Sequence, residues 1–259
     1  MAYLLTMDVG NTHIKMQLMD EGKAVGTFRL TTKTPRTSDE YGMCIREFLN
    51  ANELTKEDIM DVVISSVVPK IMYSLTSAVR KYIRKDPIIV SSEIETGVKV
   101  NTVNPREVGA DRLVDVAAGY YTYHNSCIIV DFGTATTYDY VSKDGVFQYT
   151  VISPGIEISA HALTGQTAKL PEIEIKKPDS VLGTNTITGM QAGVVYGYIG
   201  QVEYIIRKMK EELNDPDCTV IATGGLGRII ADETDEIQIY DPDLAGKGMT
   251  IIYNFNKKS

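Results

Sequence analysis

The 259-residue sequence has no tryptophan, three cysteines, three histidines, and 26 lysines and arginines against 34 acidic residues. Each shortage removes a class of function. Cys44, Cys127 and Cys218 lie far apart with no C-x-x-C pair, which excludes a zinc ribbon and a disulfide framework. Cys127 and Cys218 each open an apolar run and read as buried, reduced thiols. His13, His124 and His161 show no ligand spacing, so none is assigned to a metal. A net charge of −8 and a pI near 5.0 leave no basic stripe for nucleic acid. The short clusters Arg80, Lys81, Arg84, Lys85 and Arg207, Lys208, Lys210 read as solvated helix faces. No apolar run approaches a membrane span, and the opening MAYLLTMDVG lacks a basic n-region and a cleavage site, so the expected location is cytoplasmic. Neither a P-loop nor a Rossmann fingerprint occurs. A nucleotide would have to be held in another way.

What is present is an internal repeat. Hydrophobic content of 43% and charged content of 23% are those of an ordinary globular chain, and the length suits two α/β lobes of about 120 residues each. Residues 3–9 form an apolar run ending in Asp8-Val9-Gly10-Asn11-Thr12; alternating runs follow at His13–Leu18 and Ala24–Leu30. Thr37-Ser38-Asp39-Glu40 starts a helix, Val62–Val68 reads as a strand, Pro69 starts a second helix, and Pro87–Val90 reads as a short strand. A loop over 93–107 leads to a helix with its apolar face at Leu113, Val116, Ala117 and Tyr120. The pattern then restarts at Ser126–Val130 with Asp131-Phe132-Gly133-Thr134-Ala135-Thr136-Thr137, followed by two strands and helices at about 155–164 and 186–212. A strand at Thr219–Ala222, a short helix after Gly225, a strand at Ile237–Tyr240 and a helix from Leu244 complete it. The expectation is an α/β protein of two duplicated RNase H-like (actin-like ATPase) lobes. Each is a mixed βββαβα sheet flanked by helices, split at 1–118 and 119–259, with an interlobe cleft.

Chemistry concentrates at three places. In Asp8-Val9-Gly10-Asn11-Thr12, Gly10 can adopt a positive φ, and the amides of Asn11, Thr12 and His13 can then form an anion nest. Asp8, ending its strand, can hold Mg²⁺ directly or through water. Alone, this reads equally as a plain hairpin. The second copy adds Gly133, the hydroxyls of Thr134, Thr136 and Thr137, and a cation-binding carboxylate at Asp131. Two such turns gripping one polyphosphate make the pair more specific than either alone. In Asn104-Pro105-Arg106-Glu107-Val108-Gly109-Ala110-Asp111-Arg112, Asp111 is a candidate general base and Arg112 a candidate carboxylate clamp; otherwise Asp111 is a helix-dipole partner. Thr223-Gly224-Gly225-Leu226-Gly227 reads either as a surface for a nucleotide or as a tight strand-to-helix turn. Tyr196 and Tyr198 fit packing, and Gly189, Gly193, Gly197 and Gly200 fit a close helix seam in a homodimer.

These motifs, with Ile64-Ser65-Ser66-Val67-Val68-Pro69 and Ser153-Pro154-Gly155, resemble the type III pantothenate kinases in order and over nearly the whole chain. The resemblance implies ATP-dependent phosphorylation of the primary hydroxyl of pantothenate, the first step of coenzyme A synthesis. It implies ATP binding by Asp8, Val9, Gly10, Asn11, Thr12, His13, Ile14, Lys15 and Thr134. It makes Asp111 the proton acceptor. It places pantothenate against Gly109, Ala110, Asp111 and Arg112, with Thr102 where the family often has Tyr. It also implies a monovalent cation, potassium or ammonium, at Asp131, beside the Mg²⁺ expected near Asp8, and Thr186 reaching the substrate across a homodimer interface. Another small-molecule kinase of the superfamily would keep both turns without the clamp. A non-catalytic nucleotide-binding regulator would bind ATP without turnover.

Overall fold

The computed structural model describes residues 2–257. In chain order the elements are β1 (Tyr3–Val9), β2 (His13–Asp20), β3 (Lys23–Thr31), α1 (Ser38–Ala51), β4 (Ile59–Ser66), α2 (Pro69–Ala78), β5 (Ile88–Ile89), β6 (Lys99–Val100) and α3 (Ala110–Tyr123). There follow β7 (Cys127–Phe132), β8 (Ala135–Val141), β9 (Val146–Pro154), α4 (Ile156–Gly165), α5 (Thr186–Leu213), β10 (Thr219–Thr223), α6 (Gly227–Ala231), β11 (Ile239–Tyr240) and α7 (Leu244–Asn256).

The chain divides into two compact units. One holds the described residues up to Thr122 and again from Asp243; the other is Tyr123–Pro242. The split therefore differs from 1–118 and 119–259. The reason is α7, whose small residues lie against elements of the first unit. A Cβ on Gly246 would sit 2.7 Å from Gln17 Oε1, and one on Gly248 would strike the Val114 carbonyl of α3. The last helix thus completes the first unit.

The sheet of the first unit runs β3-β2-β1-β4-β5, and within the second unit the strands run β11-β10-β7-β8-β9. Read from the opposite edge, the second order is the first repeated. In each, a hairpin-linked antiparallel trio is extended by two parallel strands. Duplication read from sequence is therefore duplication of topology. The central strands are buried on both faces, as parallel pairing requires. On one face of the first sheet Leu5, Met7, Val9, Ile14, Met16, Leu18, Val62 and Ile64 pack with Tyr41, Ile45 and Phe48 of α1 and Leu75 of α2. Alternation sends Thr6, Asp8, Lys15, Gln17 and Ser65 to the other face. In the second unit α5 supplies Val194, Val195, Tyr198, Ile199 and Val202 to the core.

Local signals explain the helix starts. Thr37 and Glu40 close a capping box, with the Thr37 N–H donating to Glu40 Oε2 at 2.7 Å. Pro69 opens α2, and Asn185 caps α5 through the Thr188 N–H at 3.0 Å. Small departures follow from pairing. The strand expected at Val62–Val68 runs Ile59–Ser66, because it pairs with β1 from Tyr3 onward. The helix expected to reach Arg84 turns at Val79–Ile83 into a wider π-type turn and stops with Arg84 left-handed at φ 61°. Cys127 and Cys218 are buried thiols that form no disulfide, and burial pushes them up to about 12 and about 11.

Candidate active site

At the end of β1, hydrogen bonding defines the first turn. The Gly10 N–H donates to the His13 carbonyl at 3.0 Å, and Thr32 Oγ1 donates to the Gly10 carbonyl at 2.8 Å. Gly10 does not have a positive φ, contrary to the expectation from sequence. The three-residue connection Gly10-Asn11-Thr12 closes with ordinary backbone at Gly10, and a Cβ there would meet only the His13 carbonyl, at 3.4 Å. Asn11 and His13 are exposed and Thr12 half-buried, so the turn is open to a ligand.

Asp8 lies one residue inside the strand end. Its register partners are Lys15 on β2 and Ser65 on β4. Burial lifts its carboxyl, the nearby Asp111 charge lifts it further, and Lys15 opposes both; the result is a pKa raised to about 6. Asp8, Asp111 and Lys15 therefore share one electrostatic neighbourhood within the first unit. The connection that brings Asp111 there is visible. Just beyond β4, the Val67 N–H bonds the Val9 carbonyl at 3.1 Å, and a Cβ on Gly109 would touch Val67 Cγ1 at 3.5 Å. The same Cβ would lie 2.5 Å from Asp111 Oδ1, so glycine at 109 lets that carboxylate fold back over the helix start. Asp111 Oδ1 accepts the Arg112 N–H at 2.8 Å. Ala110, the first residue of α3, is buried; Asp111 and Arg112 are half-buried. The Thr102 hydroxyl is buried without a hydrogen-bond partner in the preceding loop.

Sequence reasoning missed three residues on this face. The Ser65 hydroxyl is fully buried, has no partner, and is level with Asp8. Gln17 and Asp243 bond one another and lie beside Lys15. The Ile64–Pro69 motif contained the signal for Ser65, a polar residue directly after the apolar run Val62-Val63-Ile64; no local signal marked Asp243.

The second turn repeats the first with different partners. The Gly133 N–H donates to the Ala135 carbonyl at 3.1 Å, again without a positive φ. Across from Asp131 stands Thr137. The turn is braced from below: the Gly155 N–H donates to the Thr134 carbonyl at 3.1 Å, and a Cβ there would collide with the carbonyls of Thr134 and Gly133. Thr136 Oγ1 and the Tyr198 hydroxyl share a short hydrogen bond, and Tyr198 donates to the Pro154 carbonyl at 3.0 Å. Tyr198 is a core residue, as expected, and also a brace. Gly224, at φ 96°, approaches the Phe132 backbone too closely for a Cβ, whereas Gly225 faces open space. The first glycine thus belongs to the strand-to-helix turn and the second leaves room beside it. Thr186 is exposed at the start of α5.

Two copies of a βββαβα sheet, each opening on an Asp-x-Gly hairpin, define an α/β protein of the actin-like ATPase and sugar kinase class. At the level of fold, component A of the (R)-2-hydroxyglutaryl-CoA dehydratase of Acidaminococcus fermentans matches with a TM-score of 0.57. It covers 98% of this chain and 97% of its own at 14% identity. The profile of type III pantothenate kinases matches residues 4–208. A type III pantothenate kinase of Agathobacter rectalis is 53% identical over 250 residues, 96% of each chain. One from Bifidobacterium longum (strain DJO10A) is 48% identical over 255 residues, covering 98% of this chain and 100% of that one. The chain belongs to the type III pantothenate kinase family.

Proposed function

We propose that this protein transfers the γ-phosphoryl group of ATP to the primary hydroxyl of pantothenate, the opening step of coenzyme A synthesis. The observation that carries the reading is the placement of Asp111, in the Gly109-Ala110-Asp111-Arg112 motif, beside Asp8 and Lys15 at the end of β1. The substrate oxygen attacks the γ-phosphorus as its proton passes to Asp111, the bond to the β-phosphate oxygen breaks, and ADP leaves. Residues Asp8–Lys15 and Thr134 contact the nucleotide. Gly109, Ala110, Asp111 and Arg112 contact pantothenate, and Arg112 suits its carboxylate through a bidentate pair. Thr102 stands in the same loop.

Burial and then the neighbouring Asp111 charge disfavour the ionised form of Asp8, which raises it and makes a cation welcome there. Among the described residues no group of three or more His, Cys, Asp and Glu forms a metal cage. This suits Mg²⁺, which is bound by one or two carboxylates with substrate phosphates and water completing its shell. Asp8 would hold it, directly or through water. It would neutralise charge on the transferring phosphoryl group. Asp131 is the proposed site of potassium or ammonium; a neutral threonine stands across from it, where Asp8 faces a lysine.

A homodimer is supported by exposed apolar residues around the start of α5, namely Val181, Leu182 and Ile187, together with Gly189, Gly193, Gly197 and Gly200, whose missing side chains face open space. In that assembly Thr186 reaches the partner copy's substrate. Among the described residues no helix is long and apolar enough to cross a membrane. Work in the cytoplasm accords with thiols kept reduced in the core. The deciding experiment combines purified protein, ATP, Mg²⁺ and pantothenate, with and without potassium, and follows product mass. The expected result is a phosphate added to pantothenate; ATP consumption with a sugar acceptor alone would refute the assigned substrate.

A further inference from the structure

Lys15 and Gln17 are two residues apart on β2, so their side chains leave one face of the sheet. Both end on the same oxygen. Lys15 Nζ lies 3.3 Å and Gln17 Nε2 2.6 Å from Asp243 Oδ1. Gln17 is fully buried, and its amide also reaches Thr27 Oγ1 at 3.4 Å. Asp243 therefore rests on a group that cannot swing away. Its own position is set by α7, which it precedes. Gly246 lies against Gln17 and Met19, and Gly248 against the carbonyl of Val114, on the helix that begins with Ala110 and Asp111. One terminal helix thus braces the element carrying the base and presents a carboxylate to the lysine beside Asp8.

We propose that Asp243 is a positioning residue for Lys15, holding the ammonium where the nucleotide's phosphates arrive; this rests on the reading of the first turn as the ATP site. A lysine that meets a phosphate from solution must first give up the freedom of its flexible stem. Lys15 has already done so: its side chain is 14% exposed and its charge is tethered. The bond to Gln17 makes the tether stiff, because Asp243 accepts from a buried amide as well as from the lysine.

The test is a double-mutant cycle read by calorimetric binding of MgATP in the absence of pantothenate, with a melting curve for each variant. Asp243→Asn keeps an oxygen for Gln17 and removes the charge that holds Lys15. The expected result is a loss of about 5- to 10-fold in MgATP affinity in the Lys15 background and no further loss in a Lys15→Met background, the non-additivity of groups that act through one another. In turnover the same substitution raises KM for ATP and leaves KM for pantothenate unchanged. Equal losses in both backgrounds would mean that Asp243 only stabilises the fold, and would overturn the proposal. Tighter binding in Asp243→Asn would overturn it too, because Asp243 would then be a competitor for the lysine. A wild-type protein that binds MgATP and shows the expected cycle but leaves pantothenate unphosphorylated would refute the acceptor assignment alone. Absence of MgATP binding by the wild type would sink both.

Discussion

Asp8 and Asp131 each lie one residue inside the end of the first strand in two copies of one hairpin, and the residue across from each differs. Lys15 faces Asp8 and Thr137 faces Asp131. Each turn is closed by its glycine N–H, Gly10 to the His13 carbonyl and Gly133 to the Ala135 carbonyl, so the second is one residue shorter. Their supports differ too. The first turn is tied to a strand, through Thr32, and its glycine is spacious. The second rests on Gly155 and on a tyrosine from α5. Duplication preserved the frame, while the side chains divided the labour: one turn carries an internal ammonium beside two carboxylates, the other a carboxylate among hydroxyls.

The comparison breaks most sharply at Asp111, which has its charge partner in the first unit. Asp111→Asn is expected to lower pantothenate-dependent turnover by about 10²–10⁴-fold while MgATP still binds. Unchanged turnover in a coupled assay would remove Asp111 as the base. Asp8→Asn separates activity from stability. The folded pKa of about 6 exceeds the ordinary carboxyl value of 3.8, so the native state holds this proton more tightly than the unfolded chain. Its contribution is full below about 3.8, declines as pH rises, and is lost above about 6. Without Mg²⁺ or nucleotide, Asp8→Asn should therefore be more stable than wild type at pH 7.5 by about 2–3 kcal/mol and equal to it near pH 4. Thermal melts at both pH values check the sign; a variant less stable at pH 7.5 would contradict the strained carboxylate.

The second turn yields smaller effects. Gly155→Ala forces a methyl against two carbonyls and should cost about 1–3 kcal/mol in denaturant unfolding. Thr137→Lys places in the second copy the cation that the first already has, and should yield an enzyme that no longer responds to potassium. A variant still stimulated by potassium would move the monovalent site away from Asp131. The smallest change belongs to Gly10→Ala, within about 0.5 kcal/mol of wild type in stability, because its Cβ finds ordinary contact.

The repeat was legible because Asp-x-Gly interrupts alternating apolar runs at the same place in each half, and pairing then fixes the strand order. The starts of α1 and α2 were legible from the Thr37–Glu40 capping pattern and from Pro69, whereas the Asn185 cap of α5 was not singled out. The adjacency of Asp8 and Asp111 came from resemblance, since nothing in spacing alone folds residue 111 back to residue 8. The Lys15–Asp243 contact spans 228 positions and had no local pattern to betray it. Gly10 misled, because a glycine after a strand suggests unusual dihedrals where this one supplies only room. Gly155, Gly224 and Gly248 are among the glycines whose lack of a side chain the packing demands, since a Cβ at each would strike a backbone carbonyl.

The return of α7 to the first sheet also orders events in time. During synthesis the strands up to β5 emerge early, yet the first unit stays incomplete until the segment from Asp243 through α7 has been made. The continuous stretch Tyr123–Pro242 can finish folding first, so the later-made lobe is the earlier-completed one. A nascent chain halted just short of Asp243 would carry both hairpins and still lack the helix that completes its first unit.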